Sequence, residues 1–493
     1  MNKSIKLTEN RTLGRYAIVT DNVSAGEILF EEYPFVVGPK SNSKLICLVC
    51  CRPIDTDGLR CPKCKWPLCE KCVDEQIHRL ECEIFVNNSV KFYGAYGSEN
   101  EVCLQLDCIT PLRFLLLIES NPDRWNTEIQ LMEHHEIARR NSVQWNVDEN
   151  NIVGYLHGPC GLKKRFSADM IQRICGIIEV NSFEARTKSG HEIRCVFPKT
   201  AVMSHSCVPN TCHSILASDG YKIFVRASVN IEKDTPLTAC YTFTMSGTLA
   251  RQEHLRKGKY FTCQCARCID PTELGTHFSS IKCKKCDDGY VVSTDPLDES
   301  ASWKCMVCMN IISSSATSQT LSAIQNEANG VEITLFTPEG IGKCEYLLKK
   351  LKHKLHPNHF IQIDLRQNLI KMLGRTPGYQ LNELSDIQLK YKIDLCYQIL
   401  SLLHVLHPGQ TRVRAMLLYE LHAPLFLHGK IAFRKGLIND TELKEILTKS
   451  IDLLDECITI LQREDVSSIE NKVVYVAANT LKYLQEAAKN NFY

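Results

Sequence analysis

Eight soft metal-binding side chains crowd into 36 residues, as Cys47-x2-Cys50, Cys61-x2-Cys64, Cys69-x2-Cys72 and His78-x3-Cys82. So short a segment has little apolar core of its own and needs staples. Thiolate and imidazole donors in this number match two tetrahedral zinc ions. Cys51 is left over. Charges here are balanced, with Lys63, Lys65 and Lys71 against Glu70, Asp74 and Glu75. That balance suits a peptide-binding finger better than a DNA-binding one.

The same chemistry recurs further along. Cys263, Cys265 and Cys268 form a Cys-x-Cys-x-x-Cys triplet that lacks a fourth ligand. Cys207 can supply it if the chain returns there, clamping the bent segment Ser204–Asn210 to the triplet. Pro209 fixes its own φ and restricts Val208 to extended backbone, so this segment is not helix interior. Cys283-x2-Cys286 and Cys305-x2-Cys308, eighteen residues apart, have zinc-ribbon spacing. Fifteen of the 26 cysteines fall into these clusters or complete one. Met1–Lys6 has no signal-peptide apolar core, so zinc in a reducing compartment explains them better than disulfides. The scattered Cys103, Cys175, Cys344 and Cys457 read as small buried residues. A net charge of +2 gives no nucleic-acid footprint. No apolar run approaches a transmembrane span.

Around these clusters the pattern alternates between strand and helix. Ala17–Val19, Ile28–Phe30 and Phe35–Val37 are strand-like, with turn signals at Asn22 and Gly26. Leu112–Ile118 and Ile129–Ala138 have helical spacing, with His134 and His135 on a solvated helix face. Strand signals return at Ile177–Val180 and Cys195–Phe197. A hairpin of Ser214–Leu216 and Tyr221–Val225 turns at Asp219-Gly220, and Leu237–Tyr241 follows. Residues 312–320 read as a low-complexity linker. Beyond it, Leu347–Leu355, Ile361–Leu373, Leu389–Leu406, Arg412–Leu427 and Leu443–Leu461 carry the 3.6-residue period.

Ser204–Asn210, Ser-His-Ser-Cys-Val-Pro-Asn, resembles the Asn-His-Ser-Cys-x-Pro-Asn signature of SET-domain lysine methyltransferases. Cys263–Cys268 resembles their post-SET zinc triplet, and residues 47–82 resemble a MYND finger. A split SET domain with such an insert is similar to the SMYD (SET and MYND) family. The run Lys259–Thr276, with Pro271-Thr272-Glu273-Leu274-Gly275, is most similar to its arthropod-specific branch.

The resemblance implies interleaved finger sites, Cys47, Cys50, Cys69 and Cys72 on one zinc and Cys61, Cys64, His78 and Cys82 on the other. It implies an α+β fold in six parts. These are the first SET part (1–46), the MYND finger (47–82), a helical SET insertion (83–165), the core SET (166–245), a post-SET and ribbon-like region (246–310) and an all-α, tetratricopeptide-like domain (321–493).

The resemblance also implies S-adenosyl-L-methionine as cofactor. Gly14-Arg15-Tyr16 resembles the family's cofactor turn, and Asn181-Ser182-Phe183 a cleft-lining element. Arg15, Asn181, Ser204, His205, Tyr241 and Phe261 would contact the cofactor, with Tyr241 as catalytic tyrosine. Tyr16 stands where the family has a second glycine, and Ser204 where it has asparagine. Asn210 reads as a residue that pins the loop crossing. The implied activity is protein-lysine N-methylation, of histone or other protein, in nucleus and cytoplasm, with transcriptional regulation as a setting. The alternative is a weakly active or inactive scaffold recruiting proline-containing peptides through its finger.

Overall fold

Strand-forming stretches far apart in the chain meet edge to edge. The computed structural model describes residues 5–10, 14–54, 60–72, 78–94 and 102–490. Strand β1 (Ile5–Asn10) pairs with β2 (Gly14–Val19), antiparallel. Strand β3 (Ile28–Glu32) and β4 (Val36–Pro39) find their partners only after the inserted finger and helices. In one three-stranded sheet β4 and β5 (Ser182–Arg186) flank β6 (Glu192–Val196). Next comes the two-residue β7 (Ser204–His205). In the other three-stranded sheet, β8 (Thr211–Leu216) and β3 flank β9 (Lys222–Ala227). The β8–β9 turn needs left-handed backbone at Gly220 (φ 58°) and Tyr221 (φ 63°). Strand β10 (Thr238–Ala239) lies parallel to β7, which makes a chain crossing. Strands β11 (Ile281–Lys282), β12 (Tyr290–Ser293), β13 (Trp303–Cys305) and β14 (Ile311–Ile312) form an antiparallel ribbon.

One continuous core joins strands β2, β3, β4, β6 and β9, the finger and the inserted helices, running from Val36 and Val225 through Leu112 and Ile171 to Trp66. A second core joins the ribbon to the C-terminal helices, through Phe278, Val291 and Trp303 against Leu347 and Leu355. The helical region begins with Ser314–Asn329, Pro338–Leu351, Phe360–Met372 and Asp386–Leu406. It continues with Arg412–Arg434, Asp440–Leu461 and Ile469–Asn490. This is an α+β architecture ending in an all-α stack. It touches the β3–β9–β8 sheet where Gln410 donates its N–H to the carbonyl of Ser228, just past β9, at 2.7 Å. A Cβ at Gly409 would lie 1.9 Å from that carbonyl oxygen.

Four local expectations are corrected. Ile177–Val180 is the end of a helix, Ala168–Asn181, not a strand. Ser167 caps that helix by accepting the Met170 N–H, and burial of Ile171, Ile174, Ile177 and Ile178 on one side overrides β-branched preference. Ile129–Ala138 is not one helix. A π-turn over Trp125–Ile129 gives way to a turn, and a short helix, Glu136–Arg139, starts after His135 at φ 44°. His135 therefore marks a chain reversal, with its ring 5.5 Å from Tyr260. Residues 312–320 are not a linker, because Ser313 caps the helix that starts at Ser314 and Thr317 is buried against its neighbours. The helix expected over Leu347–Leu355 starts earlier, at Pro338, and ends at Leu351.

Candidate functional site: four thiolate-rich sets and a central crossing

Zinc–sulfur arms of about 2.3 Å make a tetrahedron with edges of about 3.8 Å. The structure gathers the sixteen sequence-predicted ligands into four sets, each with its donor atoms within 4.8 Å of one another. The sets are Cys47, Cys50, Cys69 and Cys72; Cys61, Cys64, His78 and Cys82; Cys207, Cys263, Cys265 and Cys268; and Cys283, Cys286, Cys305 and Cys308. Sulfur pairs stand at 3.8 Å (Cys50–Cys69), 3.7 Å (Cys61–Cys82), 3.4 Å (Cys207–Cys268) and 3.6 Å (Cys283–Cys308). A disulfide would need about 2.05 Å. In the ribbon a Cβ at Gly289 would come 2.4 Å from the Cys305 sulfur and 2.6 Å from the Cys286 sulfur. Only glycine leaves room for the metal cradle there. These donor sets fit four zinc ions.

Behind two of the sets lie buried ion pairs that the ligand spacing does not reveal. His78 faces Cys64 through Nε2 at 3.1 Å, and its Nδ1 lies 3.2 Å from a Glu81 carboxylate oxygen. Arg113 bonds the same carboxylate through Nε at 2.9 Å and reaches the carbonyls of Leu48 and Val37. Burial alone would raise the Glu81 pKa, but Arg113 and His78 outweigh it and hold it below the usual carboxylate range. A carboxylate there fixes the ring of His78, and Arg113 ties the finger to β4.

The third set has a matching arrangement. Arg251 donates to the Cys207 sulfur at 3.2 Å and to Glu273 at 2.8 Å, and Arg267 meets the same Glu273 at 2.9 Å. Burial raises the Glu273 carboxyl, and the two guanidiniums overcome that and lower it. Glu273 is the acid of the Pro271–Gly275 run, which was legible as a pattern but not as an ion pair.

The crossing itself is pinned by Asn210. Its amide donates to the Pro236 carbonyl at 2.8 Å, and its Oδ1 accepts the Thr238 N–H at 2.8 Å. His205 Nδ1 accepts the Tyr241 N–H at 3.0 Å, and its Nε2 lies 3.3 Å from the Cys207 sulfur. Burial pushes the imidazole down to about 4, so it is neutral and holds the Tyr241 backbone as an acceptor. The rings of Tyr241 and Phe261 lie 5.2 and 5.8 Å from that imidazole. The Tyr241 hydroxyl donates to the Met203 carbonyl, and burial raises its pKa to about 12. The buried hydroxyl of Ser204, the residue after Met203, has no hydrogen-bond partner among the described residues.

Arg15 and Asn181 approach from other elements. Arg15, on β2, donates to the Leu131 carbonyl, and Asn181 donates to the Glu133 carbonyl at 2.8 Å. Both hold the same turn, the one whose helix expectation failed. Ser204, His205, Tyr241 and Phe261 thus gather at the crossing, while Arg15 and Asn181 meet at the 131–133 turn.

No protein-family model matches the chain. The chain is 26% identical over 428 residues to the SET domain-containing protein SmydA-8, isoform A, of Drosophila melanogaster, covering 84% of this chain and 87% of that one. The chain is similar to proteins of the SET and MYND (SMYD) family. Other relatives extend beyond animals and arthropods. Histone-lysine N-methyltransferase ASHR1 of Arabidopsis thaliana is 24% identical over 389 residues, 73% of this chain and 76% of that protein. N-lysine methyltransferase SMYD2 of Sus scrofa is 24% identical over 258 residues, 49% of this chain and 55% of that protein. Like these relatives by name, the chain combines a cysteine-rich finger with strands split around it. No helix among the described residues is long and apolar enough to cross a membrane.

Proposed function

We propose that this chain is an S-adenosyl-L-methionine-dependent protein-lysine N-methyltransferase. The observation that carries the reading is the Tyr241 hydroxyl, held by the Met203 carbonyl, with the hydroxyl of the next residue, Ser204, unpartnered among the described residues. A buried polar atom without a partner costs free energy, and a polar cofactor at this place would satisfy it. The cofactor would supply an electrophilic methyl group on a sulfonium. Ser204, Phe261 and the backbone at His205 would hold it, and Arg15 and Asn181 would shape the turn that covers it.

A substrate lysine must reach the methyl group as a neutral amine, although its ordinary pKa is about 10.4. A poorly solvated cleft favours the neutral form. The phenol proton of Tyr241 is committed to Met203, so its oxygen presents lone pairs. Those lone pairs can accept an amine N–H and orient the nitrogen, and alignment supplies much of the acceleration. No general base is needed at the crossing. The partner is a protein bearing an accessible lysine, histone or other, in nucleus and cytoplasm. The finger, whose charges balance, would take proline-containing peptides without contacting nucleic acid. The zinc ligands are the sixteen residues above, and the domain boundaries are those read from sequence, except that 312–320 leads into a helix.

Two observations favour the scaffold reading. Serine at position 204 is shorter than the asparagine of the resemblance, and Arg15 is already engaged by Leu131. Calorimetry with S-adenosyl-L-methionine and a tritiated-methyl assay on a cell extract separate the two readings. Binding together with transfer that Tyr241→Phe abolishes supports the enzyme. No binding at millimolar cofactor leaves the scaffold.

A further inference from the structure

Lys259 is the last residue of the helix Thr248–Lys259, and Tyr260 behind it is left-handed at φ 59°. The side chain runs into the crossing. Its Nζ donates to the Val180 carbonyl at 2.5 Å and stands 5.7 Å from the centroid of the Tyr241 ring. Val180 directly precedes Asn181, whose amide holds the Glu133 carbonyl. A cation over an aromatic face is attracted to it. The acid that acts on this amine, Glu179, is engaged elsewhere, by the Tyr260 hydroxyl at 2.6 Å and Arg139 at 2.8 Å. Burial lowers the Lys259 pKa to about 8 against that partial opposition. Lys259 is therefore a largely desolvated primary amine without a salt-bridge partner among the described residues, placed against the tyrosine that would orient a substrate amine.

We infer that Lys259 is an internal gate, occupying the acceptor-amine end of the cleft so that a substrate lysine must displace it to reach Tyr241. The inference rests on the methyltransferase reading. A carbonyl and a phenol oxygen are the acceptors an incoming amine would use here, and Lys259 takes the carbonyl of Val180 while covering the Tyr241 ring. While Lys259 holds that carbonyl, an incoming amine must compete with it for the same acceptor. The gate has the chemistry of the substrate it excludes, a protein lysine side chain. Its cost to an incoming lysine is the displacement of one hydrogen bond made by a charged group, a reduction that a pre-organising substitution removes.

The test compares full-length, zinc-loaded wild type with Lys259→Met and Lys259→Arg. Each is titrated with S-adenosyl-L-methionine by calorimetry and assayed for tritiated-methyl transfer to the proteins of a cell extract. Methionine keeps the stem but removes the amine, and should raise transfer by about tenfold. Arginine, which keeps the charge and the donors, should stay at the wild-type level. A measurement without turnover is reductive methylation by formaldehyde with peptide mapping. Lys259 should react at least about tenfold more slowly than the exposed Lys257 of the same helix, as expected for an amine held by a hydrogen bond. Equal transfer by wild type and Lys259→Met, with unchanged cofactor affinity, overturns the gate, and so does labelling of Lys259 as fast as Lys257. If none of the three proteins binds cofactor, the methyltransferase reading fails and the gate falls with it.

Discussion

The metal sets and the crossing are built to opposite standards. Around Cys207 and around His78, ligands are backed by buried pairs whose polar atoms find several partners, such as Glu273 with Arg251 and Arg267. At the crossing the Ser204 hydroxyl has none, and the Lys259 amine rests on one carbonyl and a ring face. A region that only has to hold its shape can saturate its hydrogen bonds. A region that receives a ligand keeps some open. At these two places the backing of the metal ligands and the open hydroxyl at the crossing stand in contrast.

That contrast can be broken most severely by removing metal. Native mass spectrometry with metal analysis should find about four zinc ions per chain, as sixteen ligands imply. Structural zinc contributes on the order of 10 kcal/mol per site in finger peptides, so a strong chelator should abolish the cooperative thermal transition. Two or fewer ions in protein prepared without chelator would mean that at least two of the sets are not zinc sites. Cys207→Ser should lower the count by one and destabilise the crossing, and unchanged zinc content and melting temperature would remove Cys207 from the ligands.

A milder break targets the support without touching a ligand. Glu273→Gln leaves two buried guanidiniums short of a charge partner and should cost about 3–5 kcal/mol, read as a fall in melting temperature. A fall no larger than that of an exposed control, Glu253→Gln, would show that the ion pairs do not carry the third set.

The receptive side responds differently. Tyr241→Phe should leave cofactor affinity nearly intact while transfer drops about 100-fold, because it removes an orienting group only. A parallel loss of affinity would make the tyrosine a cofactor anchor. The smallest effect expected is a gain. Ser204→Asn places an amide where a hydroxyl lacks a partner and should tighten cofactor binding by about one to two decades, the value of a hydrogen bond to a charged group. Unchanged affinity would show that the open hydroxyl does not face the cofactor.

The finger and the ribbon were readable because metal spacing is a local code, written in ligands a few residues apart. The third set was readable only because Cys207 was the one thiol near a signature loop. Glu81, Arg113, Glu273, Arg251 and Arg267 were invisible because a charge that will be buried reads the same in sequence as one that stays wet. Ile177–Val180 misled because β-branched residues favour strands, yet Ser167 and burial of one face decide for helix. Serine- and threonine-rich 312–320 read as loose chain, whereas Ser313 is a helix cap. Lys259 carried no signal, since nothing in its neighbours announces that a left-handed Tyr260 ends its helix beside Tyr241.

The inserted finger also sets an order of events on a growing chain. Strands β3 and β4 emerge early, but their partners β9 and β6 lie far downstream. For that interval two apolar strands have open edges, the condition in which nascent chains pair wrongly. The finger can take up both its ions once Cys82 has been made, and Arg113 then fastens the Val37 carbonyl of β4 to it. The third set must wait for Cys268, 61 residues past Cys207. A cell short of zinc during synthesis would therefore leave β4 unguarded before it compromised the crossing.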